Sequence, residues 1–123
     1  MNISEIVQSQ KKYFADQQTK NISNRKTLLK NLLIEVKKRE KEIVKALYLD
    51  FKKSEYESVM TETSIVISEL KKTIKNIHHW AKPQLVMPAL LNFPSSSKIY
   101  KESYGTVLII SPWNYPYQLA FAP

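Results

Sequence analysis

Apolar side chains recur every three or four positions over the first eighty residues, and this spacing predicts amphipathic α-helices. The first helix begins after Asn2, which forms a possible capping box with Glu5, and we expect it to end near Gln18. The polar stretch from Thr19 to Asn24 then supplies a new N-cap. The apolar face of this first helix comprises Ile3, Ile6, Val7, Tyr13 and Phe14.

A second apolar stripe runs from about Asn24 to Phe51, with Glu40 at a position where an apolar residue is due. The pattern therefore allows one long helix, or two helices with a break near Lys38 to Glu40. The stripe comprises Leu28, Leu29, Leu32, Leu33, Val36, Ile43, Val44, Leu47 and Phe51.

A third stripe follows a second capping box, Ser54 with Glu57, and ends at Pro83. A stripe of this length is usually a core face, and a coiled-coil partner is the alternative. We favour the core, because the polar face lacks a regular charge scheme. The stripe comprises Val59, Met60, Thr63, Val66, Ile67, Leu70, Ile74, Ile77 and Trp80.

The helical spacing of apolar residues ends at Pro83. Residues 83 to 98 contain three prolines and a run of serines, which predicts an irregular connector with a loop tip at Ser95–Ser97. Lys98 to Ser103 is typical of an exposed strand, and Gly105 permits a turn.

Thr106 to Ile110 is continuously apolar and rich in β-branched residues, the pattern of a strand buried on both faces. Such a strand needs neighbours, and the sequence contains no second run of this kind. We therefore expect the rest of a parallel sheet to lie beyond Pro123. The predicted fold is a mostly α-helical segment, ending in a hairpin or strand, of an α/β parent.

The loop after this strand, Ser111 to Pro116, carries the candidate chemistry. In open α/β sheets, ligands bind where strands end. Two prolines stiffen the loop, and Pro116 opens a helix. The amide of Asn114 could stabilise an oxyanion, and Trp113 and Tyr115 offer flat apolar walls. On spacing alone, a simpler interpretation is favoured, in which the two aromatics are core residues and Asn114 is a turn former.

The amino-acid composition excludes several classes of functional site. The 123 residues contain no cysteine, which excludes disulfides, thiolate metal sites and cysteine nucleophiles within them. His78 and His79 point about 100° apart on a helix and have no third ligand, so we predict no metal site. No signal peptide and no apolar run long enough to span a bilayer are visible, and we expect a cytoplasmic protein without a membrane span.

The net charge of +8 and the pI of about 9.6 could indicate an anionic partner such as nucleic acid. Only Arg25 and Arg39 among the basic residues are arginines, and no nucleic-acid-binding motif is present. We therefore favour a solvated lysine-rich helix surface and predict no nucleic-acid partner. A non-enzymatic basic helical module that binds an anionic partner is kept as the alternative function.

The residues Ile109 to Pro116 resemble the loop that holds the oxyanion asparagine in the aldehyde dehydrogenase superfamily. All five loop positions match, as Pro112, Trp113, Asn114, Tyr115 and Pro116. The helix from Ser54 to Pro83 is also similar, and the resemblance extends from about Arg25. The early position of the loop resembles the fatty-aldehyde (class three) branch.

The resemblance implies a Rossmann-like fold and an enzyme that oxidises aldehydes to carboxylic acids with NAD or NADP. Asn114 would hold the oxyanion, and Tyr115 would line the aldehyde channel. The residues that would border the nicotinamide half of the cofactor are Ile110, Ser111, Pro112 and Trp113.

The resemblance also implies a division of the chain. Residues 1–83 would be helices of the cofactor-binding domain, and residues 84–104 a connector and hairpin used in oligomer contacts, in a homodimer. Residues 105–123 would hold the first buried strand and the loop. Ser103 departs from the proline that the family often has there, which loosens the hairpin prediction.

The family's cysteine nucleophile, its general-base glutamate and its phosphate-binding turn all lie downstream of this loop. We therefore expect these 123 residues alone to be inactive, because an oxyanion donor acts on a transition state that must first form. A family remnant kept as an independent helical protein is a third possibility.

Overall fold

The computed structural model describes residues 2–123, and most of them are helical, as the sequence predicts. The helices are α1 (Ile3–Ala15), α2 (Ile22–Lys38), α3 (Glu40–Phe51), α4 (Glu55–Ser58), α5 (Ser64–Trp80) and α6 (Pro116–Phe121). A π-helical segment (Val59–Thr63) joins α4 to α5, and a 3₁₀ turn spans Leu90–Asn92. The strands are β1 (Gln84–Val86) and β2 (Ser97–Ile99). No helix in the described part of the chain has both the length and the apolar character needed to cross a membrane.

Asparagine caps define the starts of the first two helices. The capping box of α1 is confirmed, with the Asn2 backbone N–H donating to Glu5 Oε2 at 3.2 Å. This helix ends at Ala15, earlier than predicted, because Gln17 adopts a left-handed φ of 60°. The N-cap of α2 lies in the predicted polar stretch, since Asn21 Oδ1 accepts from the N–H groups of Ser23 and Asn24 at 2.9 and 3.3 Å.

The second apolar stripe forms two helices, which settles the choice that the sequence left open. Arg39, at φ −98° and ψ 10°, separates α2 from α3. Glu40 is the first residue of α3, where a carboxylate suits the helix dipole. Its Oε1 accepts a hydrogen bond of 2.6 Å from the Thr63 hydroxyl, so the charge in the apolar stripe has a partner.

The core lies between α2 and α5, which pack along each other. Val36, Val66 and Leu70 are its buried centre. The core interpretation of the third stripe is therefore confirmed for Val66 and Leu70. Partly buried side chains surround this centre, namely Leu29, Leu32, Leu33, Ile67 and Tyr117.

The third stripe is interrupted, however, where one continuous helix was expected. After Ser54 caps α4 through the Glu57 N–H at 3.2 Å, the chain widens into the π-helical segment. Three polar side chains in and beside this segment are fully buried, namely Ser58, Glu62 and Thr63. Widened helical turns of this kind are frequent at functional sites, and this one places polar side chains in the protein interior.

The hairpin differs in detail from the predicted one. β1 pairs antiparallel with β2, with Gln84 opposite Ile99 and Val86 opposite Ser97. The predicted strand at Lys98 to Ser103 is therefore shorter and starts one residue earlier, and Ser97 is not part of the loop tip. The sequence missed β1, because three residues beside prolines are too few to show alternation.

The predicted buried strand at Thr106 to Ile110 is not formed in this structure. Gly105 turns the chain with a φ of 100° against the Phe14 ring, and the following residues up to Ile110 belong to no helix or strand. The side chains from Val107 to Ile110 are exposed. The physical reason is that residues 2–123 provide no neighbouring strand for this segment, so burial between strands stays a prediction for a longer sheet.

Candidate active site

The loop with the candidate chemistry connects the extended segment to α6. The helix starts at Pro116, as predicted, and a proline suits this position because its missing N–H needs no partner there. Tyr115 precedes the helix and gives it no side-chain cap. The loop and the helix start must therefore be held by groups from elsewhere in the chain.

The side chain of Asn114 is exposed, and another residue binds its main chain. The residue is exposed, and its amide forms no hydrogen bond with any other residue in the range 2–123. Its main-chain oxygen accepts a hydrogen bond of 3.2 Å from Lys53 Nζ, which lies 61 positions earlier in the chain. The arrangement fixes the backbone and leaves the amide donors available.

Lys53 reaches the loop as half of a buried ion pair. Its Nζ lies 2.7 Å from Glu62 Oε1, and the two side chains are 8% and 0% exposed. The same ammonium lies 4.2 Å from the centroid of the Tyr115 ring, within cation–π distance. An ammonium has three donors, and here it faces a carboxylate, a carbonyl and an aromatic ring.

The other oxygen of Glu62 caps α6. Glu62 Oε2 accepts a hydrogen bond of 2.8 Å from the backbone N–H of Gln118, in the first turn of the helix. The first N–H groups of a helix have no partner inside the helix, and a carboxylate also suits the positive end of its dipole. Glu62 thus replaces the cap that Tyr115 does not provide.

The far side of α6 packs on the core through Tyr117. This ring lies 4.7 Å from that of Phe121, centroid to centroid, and packs against the buried centre between α2 and α5. Burial raises the pKa of the Tyr117 hydroxyl above its usual value, and the nearby charge of Glu40 raises it further. The helix is therefore fixed on one side by polar groups and on the other by apolar packing.

The predicted cofactor-facing residues lie along one edge of the loop. Ile110 and Trp113 are 84% and 81% exposed, Pro112 is exposed, and Ser111 is half-buried. The simpler interpretation of Trp113 as a core residue is therefore wrong in this structure. Tyr115 is half-buried beneath Lys53, and its ring borders the same loop.

Lys53 and Glu62 are site residues that the sequence reasoning missed. A signal was present, since Glu62 lies on the apolar side of the third stripe, three positions after Val59 and four before Val66. Glu40 occupies a similar position in the second stripe. A carboxylate on an apolar face needs a buried partner, but the chain has 19 lysines and arginines, and the sequence does not indicate which of them pairs with Glu62.

The site has features that suit part of a nicotinamide cofactor and none that suit a metal. Ile110 and Trp113 offer exposed apolar surface against which a planar ring could lie. The 123 residues contain one glycine, so a glycine-rich phosphate turn is not among them. In residues 2–123, no group of three or more His, Cys, Asp or Glu side chains is placed to hold a metal ion.

Comparison with known proteins gives consistent matches. A model of the aldehyde dehydrogenase family matches residues 1–122. The 4,4'-diaponeurosporen-aldehyde dehydrogenase of Staphylococcus aureus is 46% identical over 113 residues, which cover 92% of this chain and 25% of that protein. Aldehyde dehydrogenase family 3 member H1 of Arabidopsis thaliana is 38% identical over 98% of this chain and 25% of that protein.

A solved structure of Staphylococcus aureus AldH in its substrate-bound state is similar in fold. It superposes with a TM-score of 0.91 at 45% identity and covers 98% of this chain and 27% of that one. The chain therefore spans about a quarter of the length of the curated relatives it matches. The comparisons confirm the class-three resemblance and do not support the alternative of a non-enzymatic basic module.

Proposed function

Because the chain belongs to the aldehyde dehydrogenase family, we propose that it forms the N-terminal quarter of an enzyme that oxidises aldehydes to carboxylic acids with NAD or NADP. The observation that carries the proposal for the site is the presentation of Asn114. Its amide is exposed and free of hydrogen bonds within residues 2–123, while its backbone is held by a buried lysine.

Asn114 acts on the oxygen of the aldehyde. When a thiolate from outside these residues attacks the carbonyl carbon, the oxygen gains negative charge, and the Asn114 Nδ2–H donates to it. A donor fixed before the reaction needs no reorganisation as the charge develops, and removing one such donor typically lowers kcat by about 10²–10³-fold. The loop prolines, Pro112 and Pro116, limit the backbone freedom on either side.

The remaining site residues surround this amide. Ile110, Ser111, Pro112 and Trp113 border the nicotinamide half of the cofactor. NAD or NADP, when bound, supplies the acceptor for the hydride that leaves the substrate carbon. The exposed apolar surfaces of Ile110 and Trp113 support this role. Tyr115 lines the aldehyde channel, and its position beneath Lys53 keeps its ring beside Asn114.

The substrate class follows from the most informative relative. The Staphylococcus aureus relative is named for an aldehyde of diaponeurosporene. We extend this to a long apolar aldehyde as the substrate here, and the flat walls of Trp113 and Tyr115 suit such a chain.

Three features of the whole protein stay predictions. They are oligomer contacts through the hairpin at residues 84–104, a homodimer, and a cytoplasmic location. The exposed side chains of Leu90, Leu91 and Phe93 are consistent with a surface that another subunit covers.

The test is the kinetics of an Asn114→Ala variant in the longer enzyme that carries these residues. Steady-state formation of the reduced cofactor is measured with an aliphatic aldehyde, and kcat should fall by about 10²–10³-fold. Asn92→Ala removes another exposed asparagine, from the 3₁₀ turn, and should leave kcat unchanged. An unchanged kcat in Asn114→Ala would refute the role of this residue, and a wild-type enzyme without aldehyde oxidation would refute the function.

A further inference from the structure

The buried ion pair of Lys53 and Glu62 contacts the active-site loop at two points and α6 at a third, and the proposed function does not use it. Lys53 Nζ donates to the Asn114 carbonyl at 3.2 Å and lies 4.2 Å from the centroid of the Tyr115 ring. Glu62 Oε2 accepts from the Gln118 N–H at 2.8 Å. One pair of side chains thus contacts the oxyanion residue, the predicted channel residue and the helix that follows them.

We propose that Lys53 and Glu62 are positioning residues, which set the place of the Asn114 amide for aldehyde oxidation. The inference rests on the proposed function of Asn114. It assigns to the π-helical segment a role in the reaction, although Glu62 in this segment lies 56 positions before Gln118 in sequence.

The first support is that the loop has no other tertiary hydrogen bond. Within residues 2–123, the only hydrogen bond from outside the loop and α6 to residues 111–115 is the one from Lys53 to Asn114. The Asn114 side chain makes none. The direction of the amide is therefore determined by its own backbone, and the backbone is held by Lys53.

The second support is the cost of keeping these charges buried. Glu62 is fully buried and Lys53 nearly so, and a buried ion pair of this kind contributes little net stability compared with apolar residues of similar volume. The hydrogen bonds of the ion pair, in contrast, are directional, whereas apolar packing is not. A catalytic amide displaced by about 1 Å can lose about 10²-fold in rate, so directional control has value at this place.

The third support is the geometry of the π-helical segment. The wider turn from Val59 to Thr63 places Glu62 so that one carboxylate oxygen faces Lys53 and the other faces the start of α6. The Glu62 carboxylate therefore binds α6 directly and the loop through Lys53, whose ammonium it holds in place.

The test separates positioning from stability by comparing three variants of the longer enzyme. Lys53→Met removes the contact to Asn114 and leaves Glu62 unpaired. Adding Glu62→Gln removes the buried charge and still leaves an acceptor for the Gln118 N–H, but it does not restore the contact to Asn114. Lys52→Met is the matched control, because Lys52 is exposed and its ammonium faces the Tyr48 ring.

We expect Lys53→Met to lower kcat by tenfold or more per titrated active site, with the KM for the cofactor changed by less than about twofold. The double variant Lys53→Met/Glu62→Gln should regain thermal stability and keep the low kcat. Adding Asn114→Ala to either variant should lower kcat further by much less than Asn114→Ala lowers it in the wild type, because both changes act through one amide. Lys52→Met should match the wild type.

The proposal is overturned if kcat returns together with thermal stability in the double variant, or if the losses from Lys53→Met and Asn114→Ala multiply. A wild-type kcat in Lys53→Met, with Asn114→Ala impaired, overturns positioning and leaves the proposed function intact. If Asn114→Ala itself has a wild-type kcat, the proposed role of Asn114 fails, and the positioning role fails with it.

Discussion

The substitution Lys53→Met should destabilise the 123-residue chain more than any exposed lysine change. It leaves the fully buried carboxylate of Glu62 without its cation. Breaking a buried pair by removing one partner typically costs about 3–5 kcal/mol, because the remaining charge is uncompensated. The Gln118 N–H still donates to Glu62, so we expect a value near the lower end of this range.

The assay is urea unfolding of the 123-residue chain, followed by far-UV circular dichroism. With an m-value of about 1.5 kcal/mol per M, a loss of about 3 kcal/mol lowers the midpoint by roughly 2 M. The control Lys52→Met changes the same residue type at an exposed position and should shift the free energy of unfolding by less than about 0.5 kcal/mol.

A second substitution tests the cause. Lys53→Met/Glu62→Gln should be more stable than Lys53→Met alone by about 2 kcal/mol, because the amide keeps the acceptor for Gln118 and removes the buried charge. The reasoning is refuted if the second substitution lowers stability further. It is also refuted if Lys53→Met unfolds within 1 kcal/mol of the wild type.

Two further predictions concern the supports of the loop. Since the pKa of Tyr117 is raised, first by burial and then by Glu40, the contribution of Tyr117 to stability should be constant below about pH 10 and be lost as the pH rises through the folded-state pKa. Urea midpoints between about pH 9 and 11 should therefore fall less steeply in Tyr117→Phe, and equal slopes would contradict this. Gly105→Ala should cost about 1–2 kcal/mol of unfolding free energy by the same assay, because φ is 100° and a Cβ would lie 3.4 Å from the Phe14 ring. Ser103→Ala in the exposed chain is its control, and equal midpoints for the two would show that the strain is absent.

Hydrophobic periodicity and caps were sufficient to place the helices. Asn2 forms the predicted capping box and Ser54 caps its helix, because a cap depends on groups within three or four positions. Of the predicted box at Ser54 and Glu57, however, the hydrogen bonds of residues 2–123 include only the one that Ser54 accepts. The third stripe faces α2 as a core face for a similarly local reason, since its apolar side chains share one side of a helix. The family and the identity of the loop were likewise readable from a short motif.

The apolar pattern predicted a strand at Thr106 to Ile110 that residues 2–123 do not form. Its apolar pattern is that of a central strand, but a strand forms only when neighbours supply hydrogen bonds, and residues 2–123 supply none to it. The break at Arg39 was also undecided in sequence. Glu40, the first residue after the break, accepts a hydrogen bond from Thr63 in the π-helical segment, and the sequence does not show this contact.

The sequence by itself, through its resemblance to the family loop, indicated the residue that we propose to carry the chemistry, and the tertiary structure decided what holds that residue in place. Asn114 is identified by its immediate neighbours, because the prolines and aromatics around it form a local pattern. Lys53 and Glu62 lie more than fifty positions away, and although Glu62 falls on an apolar helix face, nothing in the sequence marks Lys53 as its partner. Their role exists only because a π-helical turn brings a buried carboxylate against the start of α6, and this is a contact that no local pattern encodes.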